Sequence, residues 1–84
     1  MPKHDIVILI PCFNEEKTIL HASKIAKNFA DVLVADDSST DNTKEILIKN
    51  KIKFFSNRTN QGYEKNLISG FKYNFLNFKK KKYI

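Results

Sequence analysis

Asp36 and Asp37 stand side by side at the end of an apolar run, residues 32–35, and are followed by Ser38, Ser39, Thr40, Asp41, Asn42 and Thr43. Paired carboxylates ahead of a hydroxyl-rich, acid-rich turn make this the richest polar segment of the chain. The apolar run reads as a buried strand with both acids at its carboxyl end. Ser39 or Asp41 can accept hydrogen bonds from the first free amides of a following helix. In open parallel sheets, ligands bind at that end of the strands. The same grammar occurs earlier, where residues 6–10 and Pro11 form an apolar strand and Cys12, Phe13, Asn14, Glu15 and Glu16 the turn that leaves it. Two loops are thereby expected to converge on one sheet edge.

The elements that carry these loops follow from periodicity. Asn14 is expected to cap a first helix whose opening turn holds Glu15 and Glu16, acids that suit the positive end of a helix dipole. Ile19, Ala22, Ala26 and Phe29 recur at helical spacing and are expected to face the sheet. A second strand is expected at Asp31–Asp36, a second helix at Thr43–Lys49 with Ile46 inward, and a third strand at residues 52–56. Gly62 then opens a third helix with Leu67, Ile68, Phe71, Phe75 and Phe78 on its inner face. Strands alternating with helices, with no hairpin signal between them, predict an α/β fold: a right-handed, Rossmann-like parallel βαβαβα unit. Pro2 and Pro11 interrupt no element, and no repeat or Gly/Ser-rich linker divides the chain, so residues 1–84 are expected to form a single domain.

A chain of 84 residues with 42% hydrophobic content would bury roughly 60 to 65% of its unfolded surface, so its stability should be marginal. The longest apolar run, residues 6–10, is far below the ~20 residues that span a bilayer. It is also shorter than the ~7 to 15 residues of a secretory core. A lone Cys12 can form no internal disulfide. The expected location is cytoplasmic. The net charge of +6 is uneven, with four Lys against seven acids in residues 1–42 and eleven Lys and Arg against two Glu in residues 43–84. Four of those cations are Lys79, Lys80, Lys81 and Lys82. A terminal Lys run without interleaved aromatic stacking positions reads as a solvated tail, so no nucleic-acid partner is expected.

Taken with Asn60-Gln-Gly62-Tyr-Glu-Lys-Asn66, the two acid-bearing loops resemble the start of a family 2 inverting glycosyltransferase, of the kind that includes dolichol-phosphate and undecaprenyl-phosphate sugar transferases. The resemblance covers residues 6–75. It implies the nucleotide-binding half of a GT-A fold, a UDP- or GDP-sugar donor, and a lipid-phosphate or glycan acceptor near a membrane. By the same resemblance, Pro11, Phe13, Asn14 and Glu15 line the nucleoside pocket, Asp36 shapes its loop, and Asn60 and Gly62 form an Asn-x-Gly turn. The aspartate matching Asp37 accepts a hydrogen bond from the imide of the base. An ionised Asp is acceptor-only, which suits uracil N3–H or the guanine edge and not adenine N1. The family often has Tyr where Phe13 stands, so a hydroxyl contact is lost here. Gly62 would permit positive φ or close approach. Lys65 either faces the diphosphate or lies solvated on its helix.

In the resembling family a fourth strand ends in an Asp-x-Asp motif that holds Mg²⁺ or Mn²⁺ on the donor diphosphate, and a later carboxylate deprotonates the acceptor. Here no acid follows Glu64, and Lys82-Tyr83-Ile84 looks like the opening of that strand. The chain is thus expected to be truncated before the metal site. It should hold no cofactor and no catalytic residue of its own, and bind a nucleotide more readily than it transfers a sugar. Loss of strand four would leave an apolar edge on strand one, from which self-association is expected.

Three other classes compete. A receiver-like signalling domain, which gathers acids around Mg²⁺, would need a phospho-accepting Asp at the end of a later strand, and none occurs from Asn42 onward. A noncatalytic nucleotide-binding or regulatory fragment is compatible with the same residues. A dinucleotide oxidoreductase would need glycines in the first turn, and residues 11–16 contain none. Cys12, His4 and His21 lack zinc-ligand spacing and read as a packed thiol and two surface imidazoles.

Overall fold

Four of the five residues in Ile-Val-Ile-Leu-Ile are β-branched, and such side chains favour a pleated strand over a helix. In the computed structural model, which describes residues 6–78 and 82–83, this segment opens strand β1 (Ile6–Cys12). Then follow α1 (Ile19–Lys27), β2 (Asp31–Asp36), α2 (Thr43–Lys49), β3 (Phe54–Ser56), α3 (Tyr63–Phe78) and a two-residue β4 (Lys82–Tyr83). The strands form one parallel sheet in the order β3-β2-β1-β4. The α/β, Rossmann-like fold expected from the sequence is the fold observed. No helix among the described residues is long and apolar enough to cross a membrane.

Alternation along β2 divides its apolar residues between the two sheet faces. Val32 and Val34 join Cys12, Ile19, Leu47 and Ile52 beneath α1 and α2. Leu33 and Ala35 join Val7 and Leu9 beneath α3, with Leu67, Phe55 and Tyr73 packed alongside. Phe55 and Tyr73 stack with ring centroids 4.9 Å apart and planes 14° from parallel. Five of the six β2 residues are buried, as a central strand covered on both faces requires. The β1–β2 register places Cys12 opposite Asp36, so both strands end at one level and deliver their loops to the same edge.

Bounds for β2 and α2 fall where the sequence places them, whereas three helix faces and two element starts differ. Helix α1 begins at Ile19, because Asn14 adopts a left-handed φ of 51° and a turn from Glu15 carries the chain into the helix. Asn14 is therefore not its cap. The buried stripe of this segment runs through Ile19, Ser23 and Ala30 with Ala26 half-buried, while Ala22 is exposed and Phe29 is 72% exposed. Small residues let α1 lie close to the sheet, and the larger apolar side chains turn outward. In α2 the inward residues are Thr43 and Leu47, with Ile46 only half-buried.

Strand β3 starts at Phe54 and not at Ile52, whose N–H is spent on the Leu47 carbonyl at 3.0 Å; Ile52 nevertheless stays in the core. Helix α3 turns Asn66 and Gly70 inward, with Leu67 and Tyr73 half-buried, and leaves Ile68 and Phe71 exposed. A Cβ on Gly70 would stand 2.8 Å from Leu9 Cδ1, so a side chain there would push against Leu9 of β1. The side chains of Phe75 and Phe78, most of the terminal Lys run and residues 1–5, including His4, lie outside the described residues.

Candidate functional site

At the carboxyl edge of the sheet, the acids that end β2 have different surroundings. Asp36 is fully buried. Its carboxylate accepts the Ser39 N–H at 3.2 Å, the Ser56 hydroxyl at 2.8 Å and the Ser39 hydroxyl, tying the β2–α2 loop to β3. Asp37 continues the β1–β2 pairing by donating its N–H to the Cys12 carbonyl at 2.8 Å. Its carboxylate accepts the Gln61 N–H at 2.7 Å, the Asn57 side-chain amide at 2.8 Å and the Gly62 N–H at 2.9 Å. Burial pushes the Asp37 carboxyl up, but those three donors outweigh it and hold it below the usual carboxylate range. Asp37 is thus ionised at neutral pH and acts as an acceptor.

The amide donors to Asp37 are fixed in turn. Asn57 donates a second hydrogen bond to Asn66 Oδ1 at 2.9 Å, and Asn66, 2% exposed, donates to the Ala35 carbonyl at 2.7 Å. Gly62 has φ +88°, and a Cβ at that position would have nothing within 4 Å, so glycine is required there for conformation and not for space. The turn aims the Gln61 and Gly62 amides back at β2 and starts α3.

Side chains also stitch the first two loops together. Asn14 Oδ1 accepts the Thr40 N–H at 2.8 Å and the Asp41 N–H at 3.2 Å, while the Asn14 N–H donates to the Ser39 hydroxyl at 2.9 Å. The Glu15 N–H donates to Thr43 Oγ1 at 3.0 Å, and the Glu16 N–H to Asp41 Oδ2 at 3.2 Å. Glu16 returns the bond by accepting the Asn42 N–H at 2.8 Å. Asp41 accepts the Thr43 N–H at 2.9 Å, which fulfils the expected capping of α2 by that residue. Burial raises the Asp41 carboxyl, and hydrogen bonds from the Thr43 hydroxyl, Thr43 N–H and Glu16 N–H bring it below its ordinary value.

These loops and the start of α3 enclose a cleft of about 450 Å³. Six of the eight sequence-selected residues line it: Pro11, Phe13, Glu15, Asp37, Asn60 and Gly62. Asn14 and Asp36 do not; one joins the loops and the other lies buried behind them. Lys65 is exposed and stands outside the lining. Cys12, Tyr63 and Asn66 complete the walls; Tyr63 and Asn66 belong to the motif quoted from the sequence but were given no site role there, and neither was Asn57. The spacing of Asn66 from Gly62 and Gly70, one helical turn each way, was the available signal.

Burial, reinforced by the charges of Asp36 and Glu15, pushes the Cys12 thiol up to about 12. It remains protonated at neutral pH and is no nucleophile. Among the described residues no three His, Cys, Asp or Glu side chains converge on a point that could hold a metal. The Asp36 and Asp37 oxygens already accept protein donors. A receiver-type arrangement also finds no support, since β3 ends at Ser56 and not at an acid.

An uncharacterized protein of Methanocaldococcus jannaschii is 37% identical over 86 residues, an alignment that covers 94% of this chain and 37% of that protein. The chain spans little more than a third of the length of this relative. No solved structure matches. Residues 7–74, from β1 into α3 and including every described wall of the cleft, match the Glycosyl transferase family 2 domain, and the chain belongs to that family.

Proposed function

We propose that the cleft receives the nucleotide of a UDP- or GDP-sugar, as the donor-binding part of a glycosyltransferase whose acceptor is a lipid phosphate or a growing glycan. Membership of the family carries a nucleotide-sugar donor and an acceptor in general terms. The observation that supports the finer reading is Asp37, an ionised, acceptor-only carboxylate on the cleft wall, held by three donors at the carboxyl end of β2. Such a group attracts an N–H edge and repels the N1 lone pair of adenine. Phe13, 45% exposed on the cleft, offers an apolar plane to a base, and Glu15 an acceptor to ribose hydroxyls.

In this reading the described residues bind and orient the donor. The test for transfer is a labelled-donor assay with and without Mn²⁺ on the 84-residue chain, and nucleotide binding without sugar transfer is the expected outcome. A cytoplasmic position, peripheral to a membrane, belongs to the same proposal through its lipid-phosphate acceptor. Calorimetric titration of the chain with UDP, GDP and ADP tests it. UDP or GDP should bind more tightly than ADP; equal affinity for all three would remove the base-pocket assignment.

A further inference from the structure

We propose that the outward face of α3 is an interfacial surface that seats the protein on a bilayer of anionic lipid. The inference deepens the peripheral membrane position proposed above by naming the surface that makes it, and it needs no nucleotide in the cleft. Successive residues of a helix turn by about 100°, so Ile68 lies roughly opposite the midpoint between Asn66 and Gly70. Those two face the sheet and are buried. Ile68 is 52% exposed at the crest, and Phe71, 41% exposed, stands beside it one turn on. A surface helix of a globular protein ordinarily carries its apolar stripe inward and its polar side chains outward. α3 instead turns an amide and a glycine inward and sets an isoleucine at the crest, an arrangement that suits hydrocarbon on its outer side.

Charge supplies a second, independent signal. Lys65 and Lys72, both exposed, lie two turns apart on the flank of Ile68 away from Phe71. Glu64 is the acid of this helix, in its first turn at the cleft end. In the sequence Lys79, Lys80, Lys81 and Lys82 follow α3 directly, and residues 43–84 hold eleven Lys and Arg against two Glu. An amphipathic helix joined to a run of cations is the pattern that binds anionic headgroups, because each Lys or Arg near the surface adds electrostatic attraction to the buried apolar area.

The same features select a bilayer over other occupants. A second copy of the chain brings the same two lysines and the same net charge of +6, so like charges would meet across the interface. A nucleic acid offers phosphates but no hydrocarbon for Ile68, whose aliphatic side chain has no ring face on which a base could stack. Anionic lipid offers both, headgroups to Lys65 and Lys72 and the acyl boundary to Ile68 and Phe71. Because α3 begins at Tyr63 on the cleft wall, a helix lying flat on the bilayer holds the cleft within about one helix diameter, ~10 to 12 Å, of the headgroups. A lipid-borne acceptor then meets the cleft without leaving the membrane surface.

Co-sedimentation of the 84-residue chain with vesicles of phosphatidylcholine, and of phosphatidylcholine mixed equally with phosphatidylglycerol, tests the inference without any nucleotide. The mixed vesicles should bind at least about tenfold more tightly than the neutral ones, and the difference should shrink as salt screens the lysines. Ile68→Asp should weaken binding to the mixed vesicles about tenfold, the scale of one buried aliphatic side chain. Ile48→Asp makes the same change on the 66%-exposed Ile48 of α2, across the sheet from α3, and should weaken binding no more than about twofold. The chain has no Trp, so Ile68→Trp carries a sole indole, whose emission should move to shorter wavelength on the mixed vesicles. Failure to bind either vesicle, or equal binding to both, would overturn the assignment to anionic lipid. An unmoved indole emission, or equal losses in Ile68→Asp and Ile48→Asp, would overturn the assignment of the face. A dimer in sedimentation velocity that Ile68→Asp dissolves would give the face to a second copy instead. None of these outcomes bears on nucleotide affinity, so the two readings fail separately.

Discussion

In the proposed reading, Asp37 links folding to recognition. Asp37→Asn retains the size of the group but replaces an acceptor oxygen by an N–H₂ donor, which must face Gly62 or the Gln61 and Asn57 donors, whichever way the amide is turned. We expect a stability loss of about 1 to 3 kcal/mol together with loss of discrimination between UDP and ADP. The wild-type carboxyl is held below its ordinary value of 3.8 in the folded state. Its contribution is therefore fully present above the unfolded value and disappears as pH falls through the lower, folded one. Denaturant titrations between pH 7 and strongly acid pH should show a smaller acid-induced loss in Asp37→Asn than in the wild type. Gly62→Ala isolates backbone conformation, since a Cβ there would touch nothing. It should still cost about 1 to 3 kcal/mol, the strain of φ +88° in a residue with a side chain, measurable as a lowered denaturation midpoint. Most of this site was legible because its acids and glycine stand at strand ends and turns. Asn57 and Asn66 were not, because an amide in a loop or helix carries no signal of burial until the groups it bonds across the fold are known.

Elements were legible in proportion to the strength of their local signal. β2 and α2 occupy the expected residues because β-branched runs and the acid-rich turn mark their ends. Ile19 and Ala26 face the sheet as expected, but the rest of the α1 face and that of α3 were misread because they pack through small or polar residues, Ser23 in one and Asn66 and Gly70 in the other, while hydropathy favours the large side chains beside them. Close approach was what the folded chain selected. Ser23 bears a cost from this arrangement: its hydroxyl is fully buried and has no hydrogen-bond partner among the described residues. Ser23→Ala removes an unsatisfied polar group and adds helix propensity, so it should stabilise the protein by about 1 kcal/mol. A thermal melt showing no gain would mean that the hydroxyl finds a partner in solution.

On the scale of the whole molecule, charge and sheet edge act together. The acids cluster in the first half of the chain, while the second half carries eleven Lys and Arg against two Glu. Among the described residues β4 pairs with Ile6 and Val7, at one end of the seven-residue β1, and strand backbone without a partner can recruit another chain. Repulsion between the cationic ends opposes this, and salt screens repulsion over roughly 8 to 10 Å at 0.1 to 0.15 M. We expect self-association that rises with ionic strength in light scattering. A chain monomeric at both low and high salt would show that the edge is protected by other means.

The stitching of the β1–α1 and β2–α2 loops by Asn14, Glu15, Glu16, Asp41 and Thr43 joins residues 25 to 28 positions apart. Those bonds exist only when β1 and β2 are already in register, so the loops cannot open piecemeal as ordinary surface loops do. The amides of Asn14, Glu15, Thr40, Asp41, Gln61 and Gly62 should accordingly exchange their hydrogens for deuterium at rates close to those of the central strands. A ligand would then enter a mouth that is already rigid, and binding would leave the exchange pattern of the loops almost unchanged.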